Sequence, residues 1–181
     1  MKKHVLTFML ASFSLAAVAQ VKLPAIFGDN MVLQQQSEVP VWGKAVPGER
    51  VTVKSSWDNK QYTATTALDS TWRVRIHTPS ASKSSFQLTI ASGKERRVLK
   101  DVVMGEVWLC SGQSNMEMPM KGFPSQPILG GQDDIVHSTN SSIRCFTVKR
   151  NSSIIPQTDC VGNWELASPN TTPDFTATGY Y

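Results

Sequence analysis

Between residue 21 and about residue 100, apolar and polar residues alternate in short runs: VPVWGKA, ERVTVKSS, KQYTATTAL, TWRVRIHT and FQLTIAS. A period of two places one face of a strand in a core and the other in water. Turn-forming residues separate the runs, among them Pro47-Gly48, Asp58-Asn59, Asp69-Ser70 and Pro79-Ser80. Short strands at this spacing, with no helical period between them, predict a small antiparallel β-sandwich over residues 20–100.

At Val102 the pattern changes. VVMGEVWLC is a nearly continuous apolar run, the signature of a strand covered on both faces in a parallel sheet. Pro119 and Pro124 limit any subsequent helix to a short piece. Residues 133–138 allow a helical turn or two, and IRCFTVKR is a second β run. Two strands joined through a helical segment fit a βαβ crossover, so residues 107–110 and 143–148 are expected to be neighbouring parallel strands. Thr172-Pro173-Asp174 reads as N-cap, N1 and N2 of a helix continuing through FTATGYY. Residues 101–181 thus read as the start of an α/β domain with a parallel sheet.

The first residues, MKKHVLTFMLASFSLAAVAQ, have the parts of a secretory signal: Lys2 and Lys3, a short apolar run, and the small-x-small site Ala17-Val18-Ala19. The apolar run is too short to span a bilayer, so residues 1–19 are expected to be cleaved and no membrane insertion is expected afterwards. The two lysines leave with the signal, so the formal charge falls from +4 to +2. That scattered excess gives no case for nucleic acid as a partner. The expected location is the periplasm or the exterior, where disulfides are permitted. Cys110, Cys145 and Cys160 are odd in number, so at least one thiol is free or pairs outside the chain. Cys110 and Cys145 lie in apolar runs and read as small buried hydrophobes. No metal-ligand spacing occurs, and neither a metal nor another cofactor is implied. Trp42, Trp57 and Trp72 are candidates for a sugar-stacking face, against the plainer reading of Trp42 and Trp72 as core.

The chemistry concentrates in GEVWLCSGQSNMEMP, where an apolar strand runs into a small-residue turn carrying Ser114. Serine alkoxide chemistry needs a sharp turn that projects the side chain and aims N–H groups at a developing oxyanion. Gly112 suits such a turn, and the N-terminus of a helix starting there favours negative charge. The alternative is an N-cap serine with no chemistry. The string is not the G-x-S-x-G elbow, because Met116 stands where that motif has glycine.

WLCSGQSNMEMP closely resembles the first block of the SGNH/GDSL hydrolases, in the variant of the sialate O-acetylesterases and related carbohydrate acetylesterases. LPAIFGDNMVLQQQSEVPVWGKAVPGERVTV is similar to the N-terminal β region of the same esterases. IRCFTVKR and WELASP through DFTATGYY are similar to segments C-terminal to their nucleophile, so the resemblance runs from about Leu23 to Tyr181. It implies that Ser114 is the catalytic nucleophile and that its N–H is an oxyanion donor. Gln113 stands where many of the wider family carry Asp, and Gln113, Asn115 and Gly112 are implied in support. The family's glycine and asparagine donors and its Asp-x-x-His segment cannot be placed here; His4, His77 and His137 lie in no such context. The chain is therefore expected to be the N-terminal part of a longer enzyme, inactive by itself.

The resemblance implies an exported esterase that removes O-acetyl groups from sialic acids or related sugars through a serine acyl-enzyme, with an acetylated sugar as its partner. An acetylxylan-type polysaccharide esterase is the alternative within that class. Outside it stands a non-catalytic β-sandwich binding module with a vestigial hydrolase segment.

Overall fold

The structure, a computed structural model, describes residues 21–181. The expected signal segment and His4 lie outside the described residues. The chain is mostly strand, with few and short helices. The strands are β1 (Val32–Gln34), β2 (Glu38–Lys44), β3 (Arg50–Ser55), β4 (Gln61–Thr65), β5 (Thr71–His77), β6 (Phe86–Ser92), β7 (Glu95–Gly105), β8 (Asn140–Phe146) and β9 (Trp164–Ala167). The helices are α1 (Ser114–Glu117), α2 (Gly131–Val136) and α3 (Ala177–Tyr180), with a 3-10 turn at Thr172–Asp174.

A five-stranded sheet runs in the order β1-β7-β6-β3-β4, and β2 pairs with β5 in a second sheet. The pairings are antiparallel except β1 with β7, where Val32, Leu33 and Gln34 lie parallel to Val103, Met104 and Gly105. The period-two runs explain the packing. In TWRVRIH, Trp72, Val74 and Ile76 are buried while Thr71, Arg73, Arg75 and His77 face water. Val51 and Val53 from β3, Leu88 and Ile90 from β6, and Val41 from β2 join them in one core. Each such side chain contributes about 1.5–3 kcal/mol by leaving water. The turns between runs use left-handed backbone at Gly48, Asn59 and Ser70.

β7 continues across residues 100 and 101 to Gly105. Leu99 and Val102 are both buried although three residues apart, which breaks the alternation. Asp101 sits between them at φ 53, and the β6–β7 register slips between Phe86 and Leu88. This is a β-bulge, in which one extra residue is accommodated and the strand bends.

Beyond Gly105 the expected parallel pair is not present. Residues 107–110 form no strand, and Trp108 and Leu109 are 83% and 92% exposed. The 143–148 run instead contributes to β8, which pairs antiparallel with β9. A strand forms where a neighbour takes up its backbone bonds and its faces are covered. Among the described residues nothing does so for residues 107–110, while WELA is within reach of β8. The C-terminal helix also differs from expectation. Extended backbone at Phe175 (φ −79, ψ 152) separates the 3-10 turn from α3.

Candidate functional site

Ser114 is the first residue of α1, exposed, four residues after the apolar segment ends at Cys110. Gln113 occupies the N-cap position at φ −113 and ψ −147, with no side-chain cap bond, and its carbonyl accepts the Met116 N–H at 2.8 Å. Gly112 is not in left-handed backbone. Its part is close packing, since a Cβ there would meet the Met116 Cβ at 3.4 Å. The α1 helix is a single turn, so it offers little macrodipole. What remains at its start is free N–H groups, because the first amides of a helix have no intrahelical acceptor.

So short a helix is marginal alone, and tertiary bonds hold it. The Thr178 hydroxyl donates to the Asn115 carbonyl at 3.2 Å, and the Ala177 N–H donates to Met118 O at 2.8 Å. Met120 N–H donates to Phe175 O at 2.9 Å, and Lys121 N–H to Pro173 O at 3.1 Å. Residues 173–178 thus run along the Ser114 turn and its exit like a splint. Beneath them Met120, Ile135 and Ala177 form a small buried cluster. Glu117 and Arg150 pair on the surface, where an ion pair adds little.

The entrance is braced from β1, a feature that sequence reasoning does not find. Gln34 Nε2 donates to Glu106 Oε2 at 3.0 Å and Gln35 Nε2 to Glu106 Oε1 at 2.7 Å. Gln34 Oε1 accepts the Val107 N–H at 2.9 Å. The amide of Gln34, then that of Gln35, holds the Glu106 carboxyl below the usual range. The one available signal is the run of three glutamines after the apolar Val32-Leu33, polar residues placed where a strand ends.

The histidines are engaged elsewhere. His77 Nδ1 lies 3.1 Å from Glu38 Oε1, on β5 and β2. His137 Nδ1 lies 3.3 Å from Asp133 Oδ1, one turn away on α2, with its side chain 72% exposed. Among the described residues no hydrogen bond joins either to Ser114. The structure therefore brings together Gly112, Gln113, Ser114 and Asn115, and does not bring a base to them. Beside the turn, Tyr181 bonds Asp134, which pushes its phenol up.

Cys110 is exposed, contrary to the expectation of a buried hydrophobe, because the strand meant to bury it does not form. Cys145 is half-buried on β8, and burial, with Glu165 nearby, pushes its thiol up to about 11. All three cysteines are free. The three tryptophans considered for a sugar face each have a partner within the β region. Trp72 is core, Trp42 packs edge-on to Phe27 at 4.7 Å, and the Trp57 indole N–H donates to His77 O at 3.0 Å. Among the described residues no helix is long and apolar enough to cross a membrane.

No protein-family model matches the chain. It is 28% identical over 153 residues to the sialate O-acetylesterase of Mus musculus, a match covering 80% of this chain and 27% of that enzyme. It is 34% identical over 107 residues to the sialate O-acetylesterase of Homo sapiens, covering 54% of this chain and 20% of that enzyme. Its fold is similar to the crystal structure of a carbohydrate acetylesterase from Xanthomonas citri. That match has a TM-score of 0.80 at 30% identity, covering 88% of this chain and 35% of the other. The chain thus spans about a quarter of the length of the mouse relative and about a third of the bacterial one. By sequence and by fold, the chain is similar to part of the sialate O-acetylesterases and of a carbohydrate acetylesterase.

Proposed function

We propose that this chain is the nucleophile-bearing part of an exported carbohydrate esterase. Its β-sandwich, residues 20–100, would support the opening segment of an SGNH-type α/β domain that begins at residue 101. Ser114 Oγ attacks the acetyl carbonyl, the ester bond to the sugar breaks and the sugar hydroxyl leaves with the proton taken from the serine, and water then hydrolyses the acyl-enzyme to acetate and free serine. The Ser114 N–H, with Gln113, Asn115 and Gly112 shaping the turn, stabilises the developing oxyanion. The observation that carries this reading is the exposure of Ser114 on a one-turn helix, braced on both sides yet, among the described residues, hydrogen-bonded to no histidine. A serine hydroxyl needs a base within reach to become a nucleophile, and none of the described residues bonds Ser114 as one, so this reading requires a base from outside them. Residues 1–19 direct the protein to the periplasm or the exterior.

The preferred substrate is an O-acetylated sialic acid or related sugar. The similarity to a bacterial carbohydrate acetylesterase also favours a second reading, an acetylated polysaccharide such as xylan. Acetate release by the product of the complete reading frame, offered O-acetylated sialic acid and acetylated xylan in parallel, separates the two. Ser114→Ala is expected to lower either rate by about a thousandfold or more. Full activity in that variant would remove Ser114 from the mechanism.

A further inference from the structure

Two clefts meet at Gly162 and Asn163. One, of about 480 Å³, lies between residues 23–30, the 97–99 part of β7 and Trp164. The other, of about 300 Å³, lies between Thr147, Lys149, Glu165 and the Asp174-Phe175 pair. Gly162 and Asn163 line both. Small-molecule sites have volumes on the order of 300–1,000 Å³, with aromatic walls and a few placed polar groups. We propose that the two clefts are successive subsites of one groove that binds a neutral oligosaccharide. As a statement about substrate class this rests on the second, acetylated-polysaccharide form of the esterase reading above; as a statement about binding it does not.

The lining fits such a ligand. Trp164 and Phe175, both half-buried, offer apolar edges to sugar rings, and Asn163 and Thr147 are exposed to exchange hydrogen bonds with hydroxyls. Charges are mixed, Arg97 and Lys149 against Asp29, Glu165 and Asp174, so no single sign of field selects an ion. The walls are already tied together, which lowers the ordering cost of binding. The Trp164 indole N–H donates to Ile26 O at 2.8 Å, and the Ala25 N–H donates to Asp159 Oδ1 at 2.8 Å. At the junction Gly162 lies flat against β8, where a Cβ would come within 2.6 Å of the Phe146 ring and of Thr147 O. The far end is formed by Asp174 and Phe175, from the segment that splints the Ser114 turn. The groove therefore leads from the β region toward α1.

Calorimetric titration of the 181-residue chain with xylohexaose, xylose and sialyllactose tests this without any ester in the ligand. Xylohexaose is expected to bind about tenfold or more tightly than xylose, because linked units occupy both subsites. Asn163→Trp, which fills the junction at an exposed position, should remove that gain, and Thr147→Trp should reduce it. Equal affinity for xylose and xylohexaose, or xylohexaose affinity unchanged in both variants, would overturn the groove. Tighter binding of sialyllactose than of xylohexaose would overturn its neutral-ligand chemistry. Oligosaccharide binding by the 181-residue chain, with no Ser114-dependent acetate release from the product of the complete reading frame, would refute the esterase reading and leave the groove standing.

Discussion

Residues 21–105 and residues 106–181 have similar shares of apolar sequence and opposite fates. In the first region, Val41, Val51, Val53, Ile76, Leu88, Ile90 and Val102 are fully buried in one core. In the second, the buried apolar set of the helical part is Met120, Ile135 and Ala177, while Trp108, Leu109, Leu129 and Ile154 lie in water. The first region pairs its strands into two sheets, whereas the second forms one hairpin and three short helices. An apolar run is thus permission for a strand, and a neighbour with free backbone groups is the condition. Without such a neighbour, the apolar VWLC stretch is left unpaired and exposed.

The contrast is most open to challenge through the cores. Leu88→Ala, at a fully buried site, is expected to cost about 2–5 kcal/mol, read as a fall in the denaturant midpoint. Leu109→Ala should change stability by no more than about 0.5 kcal/mol, because its side chain already sits in water. Equal losses at the two positions would mean that residues 107–110 are packed after all.

A smaller effect is expected where the regions join. The Arg144 side chain is 4% exposed and meets Asp101 at 3.1 Å, and it also bonds the Asp101 carbonyl. Arg144→Met should cost about 1–3 kcal/mol by stranding these acceptors. The pair also sets a pH dependence. The Ser85 hydroxyl, and with it Arg144, outweighs partial burial and holds the Asp101 carboxyl below its ordinary value. A group with a lowered folded-state value stabilises the fold fully above its unfolded value and loses that contribution as pH falls through the lowered one. Melting between about pH 5 and pH 2 should therefore fall less in Arg144→Met than in the parent. Parallel curves would assign the acid sensitivity to other carboxylates.

The least effect concerns the brace on the Ser114 approach. Gln34→Leu removes one donor to Glu106 and the acceptor of the Val107 N–H, and should cost about 1 kcal/mol or less at this exposed site. Its clearer sign is faster amide exchange at Val107, with β3 and β6 unchanged. Unaltered exchange at Val107 would show that the brace does not restrain the segment.

Much of the first region was legible in its residues. The five runs became β2 to β6 within three residues at each end, since each carried its own turn chemistry and several a period of two. β7 was not legible as one strand, because the bulge at Asp101 shifts the period just where VVMG begins. The parallel pair expected beyond it came from composition alone, which encodes burial but not the partner. The candidate site was read from a string, GQSNM, and the structure places its serine exposed at the start of a one-turn helix. The clasp of Gln34, Gln35 and Glu106 was hidden because it joins positions about seventy residues apart, and only the β1–β7 pairing brings them together.

Hydrolysis of p-nitrophenyl acetate by the 181-residue chain, compared with its own Ser114→Ala variant, tests most directly whether Ser114 is positioned but lacks a base. Without a base in reach, a serine retains at most the small residual help of its oxyanion donors. The two proteins are expected to turn over the ester at the same background rate, while the product of the complete reading frame shows Ser114-dependent turnover. A Ser114-dependent rate in the 181-residue chain would contradict this, and would direct attention to His137 and its Asp133 partner as the base.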